Sequence, residues 1–378
     1  MNGQMMERQK YSRLTRLAAP GLLTVVLMLT GSVGDAQDEV VDLLPLNSGQ
    51  PESIAPLGPL ESVRDDQHII YIGIHVDKVY ALSLGTKLFT ADGFIWLEWS
   101  AATQAHMVEN RIKPIDLIRL VNRTQVWDST FEVTTDEPER LSAGRYYQRY
   151  YFSSRFLDDA NSLQRHPFAS LELPIVVEIA PSSMSDKYES TLLVPHHQQD
   201  GYLGLAGNLS GYRLDKVSLE PFLHRYPSRF GSWYQPTMAQ VRLNIQYTAD
   251  YRSAFIARVL PLIIVLSVVL LSPLLAGSMG SLRLAIPSTA LLTLVFLQQA
   301  YHEKLPALPY LTFLDKLFAC SYIIALGLFA LFTWGTNAYS RAPAGEKEAA
   351  MRRIDRVDTI FQLSSIALLV VVATISWF

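Results

Sequence analysis

The 378 residues are 49% hydrophobic and only 18% charged, with a formal net charge of -3 and a mean hydropathy of +0.15. About a quarter of an ordinary soluble domain is charged, so this deficit implies stretches that never meet water and points to a membrane protein. With 32 Lys and Arg against 35 Asp and Glu, nucleic-acid binding has no electrostatic basis, and the single Cys excludes an intrachain disulfide and a multi-cysteine metal or iron–sulfur site.

At the N-terminus Lys10, Arg13 and Arg16 precede an apolar run over 17–30, and Gly34 and Ala36 place small residues three and one before a cut after Ala36. A basic flank, a short apolar core and small residues read as a secretory signal peptide over 1–36. An uncleaved anchor is the alternative, and either one exports the chain beyond it. Residues 37–66, rich in Pro, Ser, Gly and acid and lacking periodicity, read as a flexible lead-in.

Over 67–250 the chain breaks into short runs of β-branched and aromatic residues separated by turn clusters. The alternation predicts strands beginning at 69 and over 88–99, 125–133, 145–156, 171–179, 212–219 and 239–247. Strands at this spacing without βαβ alternation predict an antiparallel β-sandwich.

Beyond 251 come four apolar segments, predicted as helices over about 254–278, 282–301, 311–335 and 357–378, each long enough to cross a bilayer. The connection 336–356 carries Arg341, Lys347, Arg352, Arg353 and Arg356, and the positive-inside rule places this loop in the cytoplasm. The expected address is therefore a bacterial inner membrane, crossed four times, with the β domain in the periplasm.

The second span is unusually polar. Ser281, Ala285, Thr289, Leu292, Phe296, Gln299 and Glu303 step by three or four and form one helical stripe, from which Gln298 points away. Hydroxyls and an amide with Leu292 and Phe296 among them suit a water-filled path with an apolar constriction. One helix cannot enclose water, so such a path calls for several copies around an axis. The bland alternative is a monomeric four-helix bundle in which these polar groups bond between helices.

Four stretches carry a family resemblance. They are Ala91-Asp92-Gly93-Phe94-Ile95-Trp96-Leu97-Glu98-Trp99; His166-Pro167-Phe168; Val259-Leu260-Pro261-Leu262-Ile263-Ile264; and Ser281-Leu282-Arg283 through Leu292-Thr293 to Leu305-Pro306-Ala307-Leu308-Pro309-Tyr310. They resemble, in order, the aromatic strand, the "F-P-F-D" turn, the first transmembrane helix, and the pore helix with its "LPxxPY" loop of the pentameric ligand-gated ion channels. The chain, from about Ile69 to Phe378, is similar to bacterial members of that Cys-loop superfamily, nearest those gated by protons and amines. The resemblance implies an immunoglobulin-like sandwich on a four-helix transmembrane bundle, assembled as a homopentamer. It implies pore-lining roles for Ser281, Ala285, Thr289, Leu292, Phe296, Gln299 and Glu303, with Leu292 as gate. It implies ligand contact for Tyr226, Phe230, Trp233 and Tyr234, and coupling roles for Phe168, Arg252, Pro306 and Tyr310. The implied partners are further copies of the chain, the lipid bilayer, a small ligand or protons, and permeant ions.

The chain also departs from the pattern. Ala169 stands where the turn has its Asp, Arg252 lies close to Pro261 for a pre-membrane arginine, Ala180-Pro181-Ser182 lacks the acid and aromatic of amine-gated relatives, and Pro287 should kink or widen the pore helix. Selectivity stays open between Arg283, reminiscent of anion-selective members, and Glu303, which draws cations.

Other candidates are looser. His196-His197 is a metal-binding pair or a solvated loop. His302, beside Glu303 at the outer end of the second span and facing the sandwich, with Asp315 and Lys316 opening the next span, is a pH sensor or an exposed interfacial histidine. Cys320 reads as a core residue. No motif for nucleophilic catalysis or phosphate binding occurs, so no enzyme, cofactor or metal site is expected. A ligand-gated ion channel is the leading expectation. The alternatives are a non-conducting receptor-like pentamer serving as a binding or assembly module, and a membrane enzyme or transporter subunit.

Overall fold

The computed structural model describes residues 52–57, 68–142, 144–158, 161–180, 191–196, 201–228 and 237–377, so the signal-peptide stretch and most of the lead-in lie outside the described residues. The described chain divides into two units. One comprises residues of Leu46–Val259 and Gln299–Pro309, the other Leu260–Gln298 and Tyr310–Phe378.

The first unit is built on strands: β1 Ser53–Pro56, β2 His68–Ser83, β3 Leu88–Trp99, β4 Ile118–Leu120, β5 Arg123–Thr124, β6 Thr130–Val133, β7 Glu139–Arg140, β8 Tyr146–Leu157, β9 Leu171–Ile179, β10 Thr191–Pro195, β11 Leu203–Ala206, β12 Tyr212–Arg225 and β13 Thr237–Ala249. They form two sheets. One has the order β1-β12-β13-β9-β4; the other runs β10-β2-β3-β8-β5, with β11 on β2 and both β6 and β7 on β8.

Side chains alternate across a strand, and the apolar set takes one face. Ile70, Ile72, Ile74 and Val76 of β2 are buried, as are Leu171, Leu173, Ile175, Val177 and Ile179 of β9. Burying each such side chain contributes roughly 1.5–3 kcal/mol. The sheets meet where β10 lies against β9, β12 and β13.

The Asp92-Gly93 step of the aromatic strand has a steric cause: a Cβ at Gly93 would lie 2.1 Å from the His75 carbonyl oxygen of β2. Asp92 accepts hydrogen bonds from Ser153 (2.7 Å) and Tyr80 (3.2 Å), tying β3 to its neighbours.

The structure corrects several expectations. The sheets are not wholly antiparallel, since β10 and β11 both run parallel to β2. Apolar alternation marks a segment as a strand, but both pairing directions satisfy its backbone, so direction is decided by where the chain crosses over. The strand expected over 125–133 is only Thr130–Val133. Gln125 takes a left-handed φ of 49° and begins a 3-10 turn, Val126–Asp128. A helix, α1 Ala101–Glu109, intervenes where none was read. Ser100 caps it by accepting from the Thr103 backbone N–H, and only Thr103 and Met107 are buried, too few to produce a visible apolar stripe. Within the lead-in, β1 pairs with β12 as an added edge strand.

Four helices are long and apolar enough to cross a membrane: α2 Tyr251–Leu274, α3 Gly280–His302, α4 Phe313–Arg341 and α5 Lys347–Trp377. Asp250 caps α2, which passes through a π-helical turn, Phe255–Val259, ahead of Pro261. Thr312 and Asp315 form a reciprocal capping box that opens α4. The stretch 336–356 is not a loop. Helix α4 runs to Arg341, Ala342-Pro343 ends it, and α5 begins at Lys347. Its charged residues are good helix formers, which a search for uncharged length passes over. Nor does Pro287 interrupt α3, which is helical throughout.

In the helical unit α4 is the most enclosed, burying Leu317, Phe318, Ile324, Ala325, Leu328 and Phe332. Polar ties cross between helices: Tyr322 of α4 donates to Gln298 of α3 at 2.7 Å, and Gln362 of α5 donates to the Leu270 carbonyl of α2 at 2.8 Å. Gln298 thus turns into the bundle, as its place off the stripe predicts.

Candidate functional site

Helix α3 has two faces of opposite character. Arg283, Pro287, Ala290, Leu294 and Tyr301 are buried. On the other side, about 180° round at roughly 100° per residue, the expected stripe is exposed along its length: Ser281, Ala285, Thr289, Leu292 and Phe296 in the helical unit, and Gln299 and Glu303 beyond it. Leu292 is 57% and Phe296 64% exposed. The hydroxyls of Thr289 and Thr293 donate back to the carbonyls of Ala285 and Thr289 at 2.9 Å, which satisfies their protons locally and leaves acceptor lone pairs outward.

Arg283 does not share the exposed face. It is 2% exposed, its guanidinium donates to Asp358 of α5, and it lies 4.1 Å over the Phe332 ring of α4. Asp358 is equally buried, so the two charges neutralise each other inside the bundle. No signal of spacing links positions 75 residues apart, but an acid directly ahead of an apolar span was a visible anomaly.

A second group lies in the β unit. The His166-Pro167-Phe168 turn is engaged on both sides: His166 Nδ1 is 2.9 Å from the Tyr301 hydroxyl, and the Phe168 ring stacks on Tyr251 at 5.7 Å. Ala169 is buried beside them. Tyr301 and Tyr251 were not singled out from the sequence, where each is one aromatic among many. Arg252 is exposed and makes no ion pair among the described residues; its backbone N–H completes the α2 cap. Pro306 is half-buried in the β unit, and Tyr310 is half-buried in the helical unit. A cavity of about 770 Å³ opens beside the turn, lined among others by His166, Pro167, Tyr212, Arg258, Glu303 and Lys304.

The third group surrounds Glu178, which is 0% exposed near the end of β9. Arg119 of β4 donates to Glu178 Oε1 at 2.7 Å, Tyr226 donates to the same oxygen at 2.7 Å, and Gln240 of β13 donates to Oε2 at 3.2 Å. His224 Nδ1 is 2.8 Å from Oε2. Burial, then the hydrogen bond and charge of Glu178, hold the Tyr226 phenol well above the ordinary tyrosine range. For Arg119 burial acts downward, but the bond and charge of Glu178 outweigh it.

Of the expected ligand residues, Tyr226 is therefore already engaged through both hydroxyl and ring, with Arg119 5.6 Å over its face. Phe230, Trp233 and Tyr234 lie outside the described residues. An acid in the otherwise apolar run 173–179 was the sequence signal for this group.

His196 contacts Glu98 at 3.0 Å, and Arg145 pairs with the same carboxylate at 2.9 Å; His197 lies outside the described residues. Among the described residues no group of three or more His, Cys, Asp or Glu is placed to hold a metal. His302 is exposed, its ring against Tyr301, and Cys320 is buried in α4.

No protein-family model matches the chain, and no curated protein matches it.

Proposed function

We propose that the chain is one subunit of a homopentameric ligand-gated ion channel of a bacterial inner membrane. Its β unit is the periplasmic ligand-binding domain, and α3 of each subunit lines the pore. The observation that carries this reading is the exposed stripe on α3. The helix buries one side in its own bundle and presents Ser281, Ala285, Thr289, Leu292, Phe296, Gln299 and Glu303 on the other. A lipid-facing surface has no use for an amide and a carboxylate at one end of such a stripe, whereas a water-filled axis does.

Leu292 and Phe296 form the apolar band at which the path closes by dewetting. The binding of a small ligand or protons to the β unit favours opening by differential affinity for the open state. Arg283 is withdrawn and neutralised by Asp358, so Glu303 is the charged member of the exposed stripe. Permeant ions are accordingly cations.

Planar-bilayer recording of the purified chain, across a pH and small-ligand series in asymmetric salt, tests the reading. Current is expected, with a reversal potential moving toward that of the cation. Leu292→Ser should favour opening, and Glu303→Gln should lower cation conductance. A cross-linked, verified pentamer that stays silent as wild type and as Leu292→Ser would sink it.

A further inference from the structure

His224 of β12 sits between two carboxylates: its Nδ1 is 2.8 Å from Glu178 Oε2 and its Nε2 is 2.7 Å from Glu52 Oε1. An ionised carboxylate only accepts, so both ring nitrogens must donate, which the imidazolium does and a neutral imidazole cannot. Around the ring, Glu178 from β9 and Glu52 are faced by Arg119 from β4 and the Tyr226 hydroxyl, and the Arg242 guanidinium of β13 is within electrostatic reach of Glu178.

The two carboxylates differ in one respect. Glu178 is 0% exposed and held by further donors, whereas the Glu52 side chain is 57% exposed and free to turn to water. When the ring loses a proton, the Glu52 bond is the one that gives way.

Glu52 immediately precedes β1, a strand of four exposed residues that pairs with Phe222–Arg225 of β12, followed by a Leu57 N–H donating to the Pro221 carbonyl at 3.1 Å. So short an edge strand, with no buried side chain, is weakly held by its backbone pairs alone.

We infer that His224 is a proton-binding site whose occupancy clasps the N-terminal strand β1 onto the edge of β12, and whose deprotonation releases it. Because Ser53 is paired with Arg225, the clasp lies next to Tyr226, the first of the expected ligand-contact residues. The clasp stands independently of the channel reading; only its effect on gating rests on that reading.

The clasped form carries one proton more than the released form, so acid favours it. The ratio of clasped to released falls by at most about tenfold per pH unit, the limit for a difference of one proton.

Hydrogen–deuterium exchange of the full chain in detergent, at labelling times scaled to the intrinsic chemical rate, reads this in peptides covering 52–57 and 221–226. Over a labelling series from about pH 5.5 to about pH 8.5, wild-type opening should rise with pH toward that tenfold per unit limit. Glu52→Ala should exchange fast at every pH. Glu52→Gln should stay protected at every pH, because its amide accepts from an imidazolium and donates to a neutral ring. Both substitutions are at an exposed side chain, so the fold persists. Flat wild-type protection across the range, or a Glu52→Gln chain that keeps the wild-type pH dependence, overturns the clasp. Since exchange is read without current, a silent channel leaves the clasp intact.

Discussion

Replacing Asp358 by Asn keeps the volume and one acceptor beside Arg283 but removes the charge that balances it. Arg283 is 2% exposed, so water cannot substitute for the lost carboxylate. Stripping one partner from a buried ion pair costs about 3–5 kcal/mol, because the remaining charge stays desolvated. The Phe332 ring, 4.1 Å from the guanidinium, offers the same contact before and after, so it does not offset the loss. Asp358→Asn should therefore destabilise the helical unit by at least about 3 kcal/mol, and Arg283→Met should do likewise by orphaning the acid.

The double variant Arg283→Met with Asp358→Leu leaves no buried charge and should be more stable than either Asp358→Asn or Arg283→Met. Equilibrium unfolding from detergent micelles, run as a cycle with the corresponding single substitutions, measures the coupling. An Asp358→Asn chain within about 1 kcal/mol of wild type, or single effects that simply add, would refute the view that the pair is dry and mutually neutralising.

Two further outcomes are expected in the β unit. Glu178→Gln leaves Arg119 and His224 facing a neutral amide, which should lower stability by about 2–4 kcal/mol in thermal melts. The Tyr226 phenol should also move back toward the ordinary tyrosine range in a difference-absorbance titration. Tyr247, pushed up to about 12 by burial, contributes stability that is complete below about pH 10 and declines between pH 10 and 12, where the unfolded phenol ionises and the folded one does not. That decline is roughly 2–3 kcal/mol at 1.4 kcal/mol per unit. Tyr247→Phe should flatten it in alkaline melts, at a loss of about 1 kcal/mol near neutrality for the hydrogen bond to the Gly207 carbonyl.

Much of the architecture was legible because it rests on local periodicity. The strand over 171–179 is found where its alternation predicts, and the strand from 88 to 99 likewise, since one apolar face per strand is a period-two signal in the chain itself. The polar stripe of α3 was legible for the same reason, with Gln298 correctly set apart. Helix α1 was not, because two buried residues make no stripe; Ser100 ahead of Ala-Ala-Thr-Gln-Ala was the available signal. The helical continuation of α4 and α5 through a charged stretch was missed because membrane-span reasoning scores apolarity and not helix propensity.

The sequence by itself determined that four stretches are apolar enough to leave water, that a β-patterned region precedes them, and that one helix carries polar residues in register. These are properties of composition and repeat, and each residue needs only its near neighbours to express them. Tertiary structure alone decided that Arg283 turns inward to Asp358, that Glu178 gathers Arg119, His224, Tyr226 and Gln240 around one carboxylate, and that β10 runs parallel to β2. Each of these depends on elements distant in sequence becoming adjacent. A charge has no pattern along the chain that names its partner; burial does so, by making an unpaired charge too costly to keep.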